Sequence, residues 1–164
     1  MAYLKNNFNG KVANPKTLVK IEKKKSKIIF NFEAYNSCLF SYSKENNSDL
    51  WRACVCEVFL DLGDDFYYEF EVAPNGATFV AKIKDRKITF FEQDFFSSKA
   101  RIEKNNYFVE MIIDLNRIGY IPQYIKYNCF RVETNPNKKE QNLSALNPTL
   151  CGTFHVRDKF LTLW

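Results

Sequence analysis

DFYYEFEVAPNGATFVAKI, residues 65–83, alternates apolar and polar side chains on either side of Pro74, Asn75 and Gly76. An extended chain sends successive side chains to opposite faces. Phe66, Tyr68, Phe70 and Val72 therefore form one apolar face, and Tyr67, Glu69 and Glu71 form the other. A Pro-Asn-Gly run between two such segments is hairpin turn chemistry. On the returning segment Thr78, Val80, Lys82 and Lys84 share one face, and Ala77, Phe79, Ala81 and Ile83 share the other. The expectation is that the two polar faces meet.

Upstream, LWRACVCEVFLDL at 50–62 carries the same alternation. Cys54, Cys56, Val58 and Leu60 make a core face, whereas Val55, Glu57 and Phe59 face the other way. Sequential strands usually pair, so Glu57 is expected to join Tyr67, Glu69 and Lys82 on a polar, aromatic-bearing sheet surface. Arg131 and Glu133, in NCFRVET at 128–134, would extend that surface. Such a face would serve as the floor of a shallow ligand site with Trp51 as a wall. Trp51 and Glu57 are six residues apart, about 20 Å of straight strand. They can share a ligand only if residues 49–53 curl back, and Ser48 and Asp49 favour such a turn.

The rest of the chain repeats the pattern, with turn signals every 8 to 12 residues or so. Further strands are expected at 17–21, 27–34, 38–43, 87–93, 107–114 and 159–164. One helical turn fits DLNRIG at 114–119, with Asp114 as cap and Gly119 as terminator. Residues 133–149 read as a long loop. The expected fold is all-β, an antiparallel β-sandwich in a single domain over residues 1–164.

Composition narrows the function. With 46 % apolar residues, sixteen Phe and nine Tyr, the chain can bury a core without metals or disulfides. Five cysteines, two of them Cys54 and Cys56 on one strand face, read as reduced core thiols and point to a cytoplasmic protein. The N-terminus lacks the apolar run of a secretion signal, and no segment approaches a membrane span. The net charge of +5 is densest at KIEKKKSK, 20–27, where no aromatic is interleaved for base stacking. That run reads as a solvated turn between strands, and neither nucleic acid nor membrane is an expected partner. A zinc site is disfavoured, because the Cys-x-Cys spacing is wrong and His155 stands alone.

Four motifs in order, FEAYNSCLFSYSKENNSDLWRACVCEVFLDL, FYYEFEVAPNGATFVAKI, NCFRVET and ALNPTLCGTFHVRDKF, resemble the family 9 carbohydrate-binding module-like domains of the DOMON superfamily. The resemblance spans roughly residues 28–164 and implies a sandwich of about ten strands. Xylanase-attached members of that family bind sugar chain ends between two aromatic rings and carry structural calcium. The resemblance places Trp51 at a sugar-stacking tryptophan and Glu57 at a hydroxyl-binding carboxylate. It also implies carbohydrate as the ligand and calcium as a structural ion. Where free-standing relatives carry tryptophan, proline and glycine, this chain has Leu146, Arg157 and Leu161. The second ring would then have to come from Phe154 or Tyr67.

Two other classes compete with a sugar-binding reading. A protein partner could use the polar sheet face or the 133–149 loop. Haem binding, known in some DOMON-type domains, would have only Met111 and His155 as soft or imidazole ligands. Catalysis is not expected, since no Ser or Cys nucleophile has a nearby histidine. Glu69 and Glu71, about 7 Å apart along a strand, read as ordinary surface alternation.

Overall fold

A computed structural model describes residues 1–119, 122, 124–138 and 140–163. Among these the strands are β1 (Ala2–Tyr3), β2 (Lys5–Asn6), β3 (Thr17–Lys24), β4 (Lys27–Ala34), β5 (Val55–Asp61), β6 (Tyr67–Val72) and β7 (Thr78–Lys84). They continue with β8 (Lys87–Thr89), β9 (Phe96–Glu103), β10 (Asn106–Asp114), β11 (Lys126–Asn135), β12 (Glu140–Ala145) and β13 (Leu161–Thr162). One sheet has the order β1-β3-β4-β10-β9, and the other β2-β12-β11-β5-β6-β7-β8, with β13 beside β11. All pairings are antiparallel, and the two sheets form a β-sandwich.

Alternation explains the core between the sheets. On β4, Ile28, Phe30, Phe32 and Ala34 point inward, and on β10 Ile113, Met111, Val109 and Tyr107 lie directly opposite them. The second sheet contributes Cys56, Val58, Leu60, Tyr68, Phe70, Val72, Val80 and Cys129 to the same cluster. Burying Val, Leu, Ile and Phe side chains contributes roughly 1.5–3 kcal/mol each, so this double layer is the main source of stability. All five cysteines are free thiols.

Several expectations hold in detail. Asp114 accepts from the Asn116 amide at 3.1 Å, Leu115–Arg117 form a 3-10 turn, and Gly119 follows with φ of 89°. The lysine-rich 20–27 run closes the β3–β4 hairpin. Other expectations fail. CLFSYS at 38–43 is not a strand, because the segment that follows it binds the edge of β7 through asparagine side chains. Asn46 Oδ1 accepts from the Thr78 amide and Asn47 Oδ1 from the Val80 amide, at 3.0 and 2.9 Å. The 133–149 segment is largely a hairpin rather than a loop, with β12 paired to β11 from Phe130↔Ala145 to Asn135↔Glu140. Strand β9 was not expected, since FSSKARIE has no strong apolar face. The strand expected at 159–164 shrinks to Leu161–Thr162, and Trp164 lies outside the described residues.

Candidate functional site

The outer face of the larger sheet is a second buried surface. Val55 and Phe59 of β5, Tyr67 of β6, Phe79, Ala81 and Ile83 of β7, and Phe130 and Val132 of β11 line it. Leu50 from a 3-10 turn, and Phe154 and Phe160 from the C-terminal segment, pack onto it. Within this apolar layer sit Glu57, Glu69 and Glu71, only 2 %, 6 % and 0 % exposed. They are not surface carboxylates as the alternation suggested, because the C-terminal segment folds back over the sheet.

Register explains why these residues gather. Glu57 and Glu71 are direct cross-strand partners on β5 and β6, and Glu69 lies two residues along the same face. One carboxylate oxygen from each of the three lies within 4.8 Å of the others. Burial makes each reluctant to ionise, and repulsion within the group adds to that at Glu57 and Glu71. Glu57 is pushed well above the ordinary carboxylate range, first by burial and then by the Glu69 charge. Glu71 is raised likewise, by burial and then by Glu57 and Glu69. Glu69 is pushed up to about 7, mainly by burial. Glu69 and Glu71 approach closely enough to hydrogen-bond through a proton held by Glu71, which raises Glu71 and lowers Glu69; with neither protonated, Glu71 would have no donor.

A cleft of about 360 Å³ opens above Glu57, Glu69 and Phe59, within the usual range of ligand pockets of about 300–1,000 Å³. Trp51 borders it on the turn Leu50–Arg52, which curls back as required. Ser48 O receives the Leu50 amide at 2.7 Å, and Asp49 pairs with Arg52 at 3.0 Å. Leu50 is anchored in the apolar layer, which holds Trp51 up at 45 % exposure. The Arg52 guanidinium lies 5.2 Å from the indole centroid, and Gln141 Nε2 donates to Trp51 O at 3.1 Å.

The remaining walls come from Phe79, Ile83, Arg86 and Ile88 around the β7–β8 turn, from Gln141 and Leu143 of β12, and from Gly152–His155. Phe154 stacks on Phe130, with centroids 4.3 Å apart, and His155 stacks on Phe59 at 5.1 Å. The Tyr67 hydroxyl lies 2.6 Å from His155 Nδ1. Burial raises the Tyr67 pKa, so the phenol keeps its proton, and which of the two groups donates follows the imidazole tautomer. The imidazole pKa is lowered by burial and then by Arg86, which leaves it neutral.

Trp51, Glu57 and Glu69 thus meet in one cleft, and Tyr67 supports it from behind His155. Lys82 and Arg131 do not join them. Lys82 is paired with Tyr68 and therefore shares its face, where its ammonium lies 4.6 Å from the Phe66 ring and 4.9 Å from that of Phe91. Phe130, not Arg131, lies opposite Glu57. Arg131 points between the sheets at 1 % exposure, donating to Lys16 O at 3.0 Å, Thr17 Oγ1 at 2.8 Å and the Glu133 carboxylate. Glu133 in turn accepts from Ser37 Oγ and the Cys38 amide. The expectation that polar faces meet across the hairpin fails because the register brings Phe79, Ala81 and Ile83 to the glutamate side.

Haem loses its two candidate ligands as a pair. Met111 is buried between the sheets, whereas His155 lies beyond the outer face of the larger one. Leu146 packs against the inter-sheet core, away from the cleft, so its lack of an aromatic ring does not alter the cleft walls. Arg86 was missed from sequence. The signal was the Asp85-Arg86 pair between two strand runs, a two-residue hairpin turn with φ of 49° and 64° that places Arg86 at the cleft rim.

No protein-family model matches the chain, and no curated protein sequence does. Solved structures do resemble it. A Bacteroides uniformis protein to which carbohydrate binding has been ascribed aligns over 98 % of this chain and 84 % of its own, with a TM-score of 0.72 and 15 % identity. A family 9 carbohydrate-binding module from Caldicellulosiruptor kristjanssonii, in complex with glucose, aligns over 87 % of this chain and 72 % of its own, at a TM-score of 0.61 and 14 % identity. The module from that organism in complex with cellotriose covers 79 % of this chain and 63 % of its own, at 0.58 and 16 %. At such identities the likeness is one of fold, and the fold of this chain is that of the family 9 carbohydrate-binding modules.

Proposed function

We propose that this domain is a non-catalytic carbohydrate-binding module whose ligand, a soluble oligosaccharide or the glycan of a glycoconjugate, occupies the cleft between Trp51 and Phe154. The observation that carries the reading is the exposed Trp51 indole beside a cleft floored by Glu57 and Glu69. A pyranose offers apolar C–H faces that stack on an aromatic ring and a rim of hydroxyls for polar groups to hold. Here Glu57 and Glu69 accept hydroxyl protons, or donate when protonated, while Arg86 and Gln141 offer N–H groups at the rim. The solved modules of the same fold, held with glucose and cellotriose, support the reading.

Each exposed hydroxyl contact yields only about 0.5–1.5 kcal/mol net, so the stacked ring is expected to dominate affinity. A glycan array with the purified chain, followed by calorimetry on the best hit, tests this. Trp51→Ala should weaken that hit by about tenfold or more, corresponding to about 1.4 kcal/mol, with thermal stability within about 0.5 kcal/mol of the parent. A chain that binds no glycan on the array, or a Trp51→Ala variant that binds as well as the parent, would rule the reading out.

A further inference from the structure

We infer that the cleft takes an acidic glycan, one whose sugar carries a carboxylate as uronic acids do, and that Arg86 is the residue that selects it. The inference rests on the carbohydrate-binding reading and adds the class of sugar to it. Three observations converge on Arg86. The first is that it stands apart from the other arginines. Of the six in the chain, five form ion pairs: Arg52 with Asp49, Arg101 with Glu103, Arg117 with Asp94, Arg131 with Glu133 and Arg157 with Asp61. Arg86 pairs with no carboxylate among the described residues. Its guanidinium is always charged, and its planar fork of N–H donors fits a carboxylate through two parallel bonds.

The second observation is where that charge sits. Among the described residues Arg86 is the one lysine or arginine that lines the cleft. It is the second residue of the two-residue turn between β7 and β8, with φ of 64°. Its charge is felt at Tyr67 on β6 and at Cys151 and His155 on the returning C-terminal segment, so the guanidinium is turned towards the cleft. A hollow of about 210 Å³ opens beside the cleft and shares Ile83, Arg86 and His155 with it. The other cations of that hollow are already engaged, Lys84 by Asp65 and Arg157 by both oxygens of Asp61. A substituent reaching from a sugar ring in the cleft towards the hollow therefore meets Arg86 as its charged donor.

The third concerns the balance of charge. Glu57 and Glu69 would repel an anion if ionised, but burial holds Glu57 well above the ordinary carboxylate range and pushes Glu69 up to about 7. Below that pH the floor is largely uncharged and offers O–H donors to a ligand. His155 is neutral, so Arg86 supplies the one full charge on the cleft walls. A single guanidinium matches the single charge of a carboxylate. A phosphate monoester carries about −1.5 to −2 at neutral pH, and one arginine would leave it under-neutralised.

The full chain is applied at about pH 6, where Glu69 keeps its proton, to an array of neutral, carboxylate-bearing, sulfated and phosphorylated glycans. Calorimetry at constant ionic strength then compares the best acidic hit with the same glycan after its carboxyl group has been reduced to an alcohol. Carboxylate-bearing glycans should lead the array, and the acidic form should bind about tenfold or more tighter than the reduced one. Arg86→Gln should bring the two affinities to within about twofold of each other, and Arg86→Lys, which keeps the charge but not the fork, should restore only part of the gap. Lys99→Gln, which removes an equal charge from exposed β9 of the other sheet, should leave the gap as it is. Neutral glycans at the head of the array, or an Arg86→Gln chain that still prefers the acidic form, would overturn the inference and leave the carbohydrate reading standing. Sulfated or phosphorylated glycans at the head would overturn the carboxylate assignment, and a chain that binds no glycan would sink both readings together.

Discussion

Two groups of buried charges lie on opposite faces of the same sheet, and they are built differently. Between the sheets, Arg131 is opposed by Glu133 and by the carbonyls of Lys16 and Tyr35, and Glu133 has two further donors in Ser37 and Cys38. Only the Arg131 Nε lacks a partner. On the outer face, Glu57, Glu69 and Glu71 meet one another and no cation among the described residues. The first group is closed, an internal strut joining β11 to the other sheet through β3. The second is open towards a cleft. The first group meets the cost of burial by pairing opposite charges, and the second by holding protons, with Glu71 hydrogen-bonded to Glu69.

Breaking the closed group should have the largest effect. Arg131→Ala leaves Glu133 buried without its cation and strands the carbonyls that Arg131 served. Removing one partner of a buried pair costs about 3–5 kcal/mol, readable as a lower urea midpoint. Adding Glu133→Gln should recover part of that loss. If Arg131→Ala alone costs less than about 1 kcal/mol, the strut is not structural.

The open group is sharpened by pH. Its carboxyls have folded pKa values above their unfolded ones, near 4.5, so their stabilising contribution is complete below about 4.5 and is lost as pH rises through the folded values. His155 works in the opposite sense, because burial lowers its pKa from 6.5; its contribution grows with pH and is complete above that value. The clean window is therefore pH 6.5–7.5. There stability should fall by about 1.4 kcal/mol per pH unit for each proton the folded cluster still holds. Arg131 should add no slope there, as Tyr107 and Glu133 together outweigh burial and raise its already high pKa. Denaturant melts at closely spaced pH values would show this decline, and a flat or rising profile would contradict it.

A smaller effect separates the groups once more. Glu71→Gln keeps the shape but removes one ionisable group and supplies an N–H for Glu69. At pH 8 it should stabilise the chain by about 1 kcal/mol, the reverse of what truncating Arg131 does. A destabilised Glu71→Gln under those conditions would mean that the proton held between Glu69 and Glu71 stabilises the fold more than the amide does.

The sandwich was largely legible because its inner layers obey strict alternation. KIIFNFEA and NYFVEMIID place their apolar residues opposite one another, as their spacing requires. What escaped were segments whose structure is imposed by neighbours. FSSKARIE becomes β9 by pairing with β10, EQNLSA becomes β12 by pairing with β11, and the asparagines at 46 and 47 replace a strand at the β7 edge. Propensity and pattern are weak where pairing with a distant strand decides the outcome.

The candidate site divides along the same line. Sequence alone put Glu57 with Val55 and Phe59, and Glu69 with Tyr67 and Glu71, since a period of two within a strand leaves no choice of side. Only the tertiary structure decided which faces of different strands meet. A slip of one residue in register exchanges the faces, and the register across β6–β7 and β5–β11 sends Lys82 and Arg131 away from the glutamates and brings Phe79 and Phe130 in. Tertiary structure also decided that this face is buried, because residues 152–160 return to lay Phe154, His155 and Phe160 across it. Contacts between residues a hundred positions apart leave no periodic trace in either segment, so the chain fixes each strand's two sides locally and learns what covers them only by folding.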